Sequence, residues 1–303
     1  MKFFTRSKSV VWVLIFVITV IWGYSWVMMK VSLAYMGPFT FSAFRFGTGA
    51  ITLFISILLF KMKRPPKKYI KPLIVLGILQ TSIVFLLVMY GMQFIGAGKA
   101  SILLYSMPIW STLLAVRFLR EHVTPWQVAG NILGLVGLLA ILGADLWAGQ
   151  NLRSIFGELL IVLAAVSWGA SNVYYRVKLE ELPRLVVTAY QMLFGTIGIT
   201  LVAFIMEWGE PVKFTGTSLF LILFTGILAS ALCFSLWFLI LSLIDMVTAT
   251  ISTMLVPVFG LFLGWLYLDE KLTLGTITGS ILIIAGIVIA QMMKKGEKKR
   301  SIA

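Results

Sequence analysis

Apolar residues run along this chain in long unbroken blocks, with neither the alternation of a half-buried strand nor the narrow stripe of a soluble amphipathic helix. A helix needs ~20 mostly apolar residues to cross a bilayer. Ten blocks approach or exceed that length: 9–29, 38–60, 72–91, 100–118, 125–142, 155–175, 184–206, 218–240, 247–268 and 274–293. Short breaks rich in Pro, Gly or charge separate them, such as KMKRPPKKYIK (61–71) and LDEKLT (268–273). The pattern predicts an all-α polytopic membrane protein of ten helices. The first block follows Lys2, Arg6 and Lys8 as a signal peptide would. It is too long for a ~7–15-residue signal core and no Ala-x-Ala site follows, so it reads as an uncleaved span.

The ten blocks fall into two sets of five. With a shift of 146, Trp22-Gly23 meets Trp168-Gly169, Ser25 meets Ser171, Gly49 meets Gly195, and Arg45 meets Gln191. With a shift of 149, Gly77-Ile78-Leu79 meets Gly226-Ile227-Leu228, Pro108 meets Pro257, Glu121 meets Glu270, and Thr124 meets Thr273. One three-residue length difference accounts for the change. The expected units are a first repeat over 9–142, a second over 155–293, and a basic cytoplasmic tail over 294–303. Five is odd, so the second repeat must enter the membrane from the opposite side. Inverted repeats of this kind characterise secondary transporters, whose halves exchange conformations to open each side in turn.

Charge fixes the expected orientation. Of 25 Lys and Arg residues, an N-in, C-in arrangement places 19 inside and five outside, with Arg45 alone within a span. Basic residues collect on the cytoplasmic side, so the split supports that arrangement. It also gives the net charge of +14 a meaning other than nucleic-acid binding. The basic residues are loop ends without interleaved stacking aromatics, and a weak affinity for anionic lipid is expected at 61–71 and 294–300.

Composition narrows the chemistry. The chain is 60% apolar and 12% charged, against roughly 45–50% and about 25% in soluble domains. One cysteine (Cys233) and one histidine (His122) leave no disulfide framework, Cys cluster or multi-His metal centre. No phosphate loop is present. The expectation is a non-enzyme with no cofactor and no metal, resident in the plasma membrane, with a small solute and the bilayer as its partners. A bacterial cytoplasmic membrane is compatible with the compact architecture.

Four stretches carry a family resemblance. They are IWGYSWVMMK of the first span, FSAFRF of the second, MPIWSTLLAVRFLREHVTPWQVAGNILGLVG of the fourth and fifth, and VPVFGLFLGWLYLDEKLTLGTITGSILIIAGIVI of the ninth and tenth. In this order and spacing they resemble the drug/metabolite transporter superfamily, EamA type. The resemblance implies ten helices, with spans 1–4 and 6–9 around a central cavity and spans 5 and 10 packed outside. It implies export of amino acids, related metabolites or drugs, and leaves the solute open.

Arg45 is the sharpest candidate, ~10 Å deep at 1.5 Å per residue from the helix start near Pro38. Either it binds a substrate carboxylate, for which a guanidinium suits bidentate contact, or it is half of a structural pair, with Glu158 as partner. Glu158 is also the candidate for proton coupling. Gln191, the mate of Arg45, either lines the cavity or bridges helices. Trp22, Ser25 and Trp26 share one helical face, as do Trp168, Ser171 and Asn172. Such faces suit an amphipathic solute or plain packing. Tyr90, Tyr105 and Trp237 are further candidates. Pro108 and Pro257 interrupt their helices and serve as gates or static kinks. Glu121 and Glu270 read as structural, and Thr124 and Thr273 as helix caps, Thr124 within a capping box. Gly130-x-x-x-Gly134 resembles a dimer motif, with packing inside one chain as the other reading.

The expected function is a secondary carrier exporting amino acids or related small metabolites by alternating access. A multidrug or cation exporter is the alternative, disfavoured because only Glu158 supplies a well-placed acid. A membrane enzyme or receptor subunit is less supported, since the chain has neither a concentrated catalytic set nor a sizeable soluble loop.

Overall fold

The computed structural model describes residues 8–119, 124–147, 152–243 and 255–300, whose regular structure is all helix with no strand. In chain order they form α1 (Lys8–Ser32), α2 (Pro38–Leu59), and α3 (Ile70–Gly77, a π-helical turn Ile78–Ile83, then Val84–Gly91). Next come α4 (Ala97–Leu104 and Met107–Leu119), α5 (Pro125–Trp147), α6 (Leu152–Lys178) and α7 (Arg184–Met206). Then α8 (Gly216–Leu223, a π turn Phe224–Leu232, then Cys233–Leu243), α9 (Leu255–Leu268) and α10 (Leu274–Arg300) complete the order. Among the described residues, seven runs are long and apolar enough to span a bilayer: Val10–Ser32, Pro38–Leu59, Lys67–Gly91, Ala97–Phe118, Leu152–Lys178, Arg184–Met206 and Gly216–Trp237. Pro125–Ile141, Leu255–Leu268 and Leu274–Ile289 are shorter apolar helices. Glu121 and His122 lie outside the described residues.

Local signals explain the starts. Pro38 and Pro125 occupy the first helical turn, where a missing N–H costs nothing. The Thr124 hydroxyl accepts from the Gln127 amide at 3.3 Å and the Gln127 side chain accepts from the Thr124 amide at 2.9 Å, closing the expected capping box. Thr273 accepts from the Thr276 amide at 3.1 Å. A second capping box, Thr215 with Ser218, opens α8. Helix α10 runs on to Arg300, past the apolar block that ended at 293, because lysine and glutamate are good helix formers.

The neighbours form a closed ring, α8–α1–α9–α4–α6–α3–α7–α2 and back to α8, with α5 and α10 packed on each other. Each link joins a helix before residue 148 to one after it. Glycines bring the backbones together. A Cβ on Gly226 would lie 2.7 Å from the Arg45 carbonyl oxygen, and one on Gly77 would lie 2.6 Å from that of Gln191. Likewise Gly137 faces the Gly279 carbonyl, and Gly286 faces that of Gly130. The Gly130/Gly134 stripe is therefore used within the chain. Each of these contacts maps onto its partner under the shifts of 146 and 149.

Chain direction is set by contacts at one end of the ring. Lys30, in the last turn of α1, donates to the Met92 carbonyl and, at 2.8 Å, to that of Ile95, just past α3. Glu158 in the first turns of α6 pairs with Lys99 in the first turn of α4 at 3.0 Å. Helix α6 thus begins at the end where α1 finishes.

Candidate functional site

Arg45 lies inside the ring, 5% exposed. Its Nε donates to Ser230 Oγ of α8 at 3.3 Å and its Nη1 points at the Met29 sulfur of α1. Its Cζ sits 4.8 Å from the Phe46 ring centroid and 4.9 Å from that of Phe85 on α3. Those rings are 4.4 Å apart, and Trp168 of α6 stands 6.4 Å beyond Phe85. Four helices besides α2 therefore converge on this one guanidinium, directly or through Phe85.

No carboxylate pairs with Arg45 among the described residues. Glu158, its expected structural partner, is bound to Lys99 instead, because both stand in the first turns of neighbouring helices. A buried cation without an acid is costly, and aromatic faces recover only about 0.5–2 kcal/mol of that cost. A thioether and one hydroxyl are weak partners for a group with five N–H donors in a fork. The remaining donors match the two oxygens of a carboxylate.

The π turns hold this site together. The Ser230 hydroxyl donates to the Thr225 carbonyl five residues back, at 2.9 Å, supporting the wider turn of α8. The loosened backbone offers carbonyls sideways. Ala229 O accepts from Trp22 Nε1 at 2.8 Å, and in α3 Leu79 O accepts from Ser167 Oγ at 2.7 Å. π turns are often found at functional sites, and here one supplies the hydroxyl that meets Arg45.

Gln191 is also 5% exposed, and its Oε1 has no hydrogen-bond partner among the described residues. Helix α7 packs along α2, with Gly47 against Thr196 and Phe54 against Tyr190. This antiparallel register puts Arg45 and Gln191 ~10 Å apart along the seam.

The other candidates disperse. Trp22 and Trp237 come together at 6.3 Å, with Phe234 alongside. Trp26 packs on Gly260 of α9. Ser25 and Ser171 donate to the carbonyls of Trp22 and Trp168 three residues back, both at 2.7 Å. Asn172 donates to Ser111 Oγ and the Met107 sulfur of α4, both at 3.3 Å. Tyr105 closes the first half of α4, and Pro108 stands in the first turn of the second half. The Pro257 carbonyl faces Ser101 Oγ at 3.4 Å. Tyr90 is 38% exposed in an aromatic row with Phe39 and Phe94, away from Arg45.

Sequence reasoning missed Phe46, Phe85 and Ser230. Ser230 was findable, because Thr81 matches it under the shift of 149, four residues after the aligned Gly77 and Gly226. Phe85 carried the same kind of mark, matching Phe234 under that shift, whereas Phe46 had none to set it apart among 22 phenylalanines.

Comparison with known proteins extends this picture. The model of the EamA-like transporter family matches residues 10–143 and 155–292. The uncharacterized transporter YoaV of Bacillus subtilis is 34% identical over 89% of this chain and 92% of its own length. A probable amino-acid metabolite efflux pump of Salmonella typhimurium is 26% identical, covering 90% of this chain and 91% of its own. A probable terminal-alkyne amino-acid exporter of Streptantibioticus cattleyicolor is 26% identical over 98% of both. One crystal structure of another protein superposes with a TM-score of 0.68 at 21% identity, over 95% of this chain and 97% of that one, a likeness of fold.

Proposed function

As a member of the EamA-like transporter family, the chain is a multi-pass transporter of the plasma membrane, and we propose that it exports amino acids or related carboxylate-bearing metabolites by alternating access. The observation that carries this reading is Arg45, a buried guanidinium among aromatic rings with no acid partner among the described residues. A zwitterionic amphipath fits it, its carboxylate on the fork and its side chain on Phe46, Phe85 and Trp168. The amino-acid exporters among the relatives accord with this solute class. The cation-exporter alternative weakens, because Glu158 is engaged with Lys99.

The proposed frame is ten spans in two inverted repeats, 9–142 and 155–293, with both termini inside. The opposed directions of α1 and α6, and the glycine contacts that map onto each other, support it. In this frame Lys30, Lys99, Glu158, Glu207 and Glu270 lie at the outer end.

The test is flux from proteoliposomes loaded with a panel of amino acids, with and without a pH gradient. Saturable efflux of at least one carboxylate-bearing solute is expected, with Arg45→Ala abolishing it. Saturable flux of cations only, or of nothing in the panel, overturns the reading. A dependence on the gradient that vanishes in Glu158→Gln would assign proton coupling to that acid.

A further inference from the structure

Helices α2 and α4 begin without caps of their own. Their N-cap residues are Gly37 and Gly96, with no side chain to accept the first amides. Each cap is supplied by another helix. Glu207, just past α7, accepts from the Phe39 amide at 2.9 Å, the Thr40 amide at 2.7 Å and the Thr40 hydroxyl at 2.6 Å. Glu270, just past α9, accepts from the amides of Ala97 at 2.5 Å and Gly98 at 2.9 Å. A Cβ on Gly37 or Gly96 would collide with the carboxylate seated there. A carboxylate at a helix N-terminus also meets the positive end of the helix dipole.

The two carboxylates close two special seams. Under the repeat, α2 corresponds to α7 and α4 to α9, so α2·α7 and α4·α9 are the ring contacts between corresponding helices. Both clamps sit at the same end, where Lys30 and Lys99 also lie. The other end of the α2·α7 seam differs. The shift of 146 carries Glu207 onto Lys61, and residues 61–71 contain no acid. There the N-cap of α7 is Pro183, with no side-chain cap.

We propose that Glu207 and Glu270 are gate latches: they hold the outer end of the ring shut, and both release their helix N-termini when that end opens. This rests on the alternating-access reading. The seam α2·α7 has a carboxylate latch at this end and no matching one at its other end, which biases that seam toward a closed outer end. Release leaves amides Phe39, Thr40, Ala97 and Gly98 to water, which fills the opened vestibule and replaces the lost acceptors.

Thiol labelling tests this without any solute. Ser42 and Thr188 are mates under the shift of 146, both buried and both bonded only to the carbonyl four residues back in their own helix. Ser42→Cys reports the latched end and Thr188→Cys the opposite one, each in a Cys233→Ala background. An impermeant maleimide is applied to right-side-out and inverted vesicles. In Glu207→Gln, and separately in Glu270→Gln, labelling at position 42 is expected to rise about fivefold, the factor for ~1 kcal/mol of charge–dipole stabilisation, while labelling at position 188 falls. If either variant fails to fold, the other carries the test. Unchanged labelling at 42, or a rise there without a fall at 188, overturns the proposal. Absence of flux in the amino-acid panel would strike the transport reading and leave this result standing.

Discussion

Arg45 is buried and Trp22 partly buried, each beside aromatic rings, yet their side chains do different work. Trp22 spends its indole N–H on the Ala229 carbonyl, so Trp22→Phe forfeits one hydrogen bond and strands a buried acceptor, about 1–3 kcal/mol. A fall in the thermal midpoint with flux per folded molecule retained is expected in detergent melting curves and proteoliposomes. Arg45 spends its donors on a sulfur and one hydroxyl. Arg45→Lys keeps the charge and loses the fork, and charge-assisted bonds are worth roughly 1.5–3 kcal/mol. A tenfold or greater rise in the half-saturating solute concentration is therefore expected, with little change in melting. If Arg45→Lys instead lowers the melting point and leaves saturation unmoved, the guanidinium is structural.

Among the elements, α4 shows what a proline does inside the ring. Ser106 and Tyr105 form the gap between Ala97–Leu104 and Met107–Leu119, and the Ser106 hydroxyl receives the Trp110 indole N–H at 3.2 Å. Pro108→Ala restores the amide that a continuous helix needs. If the gap is a hinge, turnover should fall several-fold with the half-saturating concentration unchanged. Equal turnover in a stopped-flow flux assay would make the break a static kink. The break was legible in the sequence, as were the cap at Thr124 and the glycine stripes, because each depends on nearby residues. The π turns and the caps from Glu207 and Glu270 were not. They depend on which helices become neighbours, and nothing within α2 or α4 announces a partner more than 160 residues away. The same reason explains the expected pairing of Arg45 with Glu158. Depth along the helix axis was readable, but position around the ring was not.

For the whole molecule, the ring separates two kinds of packing. The pair α5·α10 lies outside it, joined by close glycine contacts. Gly286→Leu overpacks that pair, a change costing about 1–3 kcal/mol, and is expected to lower the melting point while sparing flux per folded molecule. Gly226→Leu pushes against the Arg45 carbonyl inside the ring and is expected to remove flux as well. Comparing the two variants at equal folded protein separates scaffold from transport pathway.

The alternation of links around the ring bears on how the protein is made. The helices up to Trp147 find most of their neighbours among helices beginning at Leu152 or later. While the ribosome is still delivering the second repeat, the first therefore waits in the bilayer largely unassembled, exposed to membrane proteases and to whatever insertase shelters it. A gene fragment ending at residue 147 should yield a short-lived polypeptide. Supplying residues 148–303 from a second gene should restore its lifetime in pulse–chase labelling, since the two pieces are one another's missing interior.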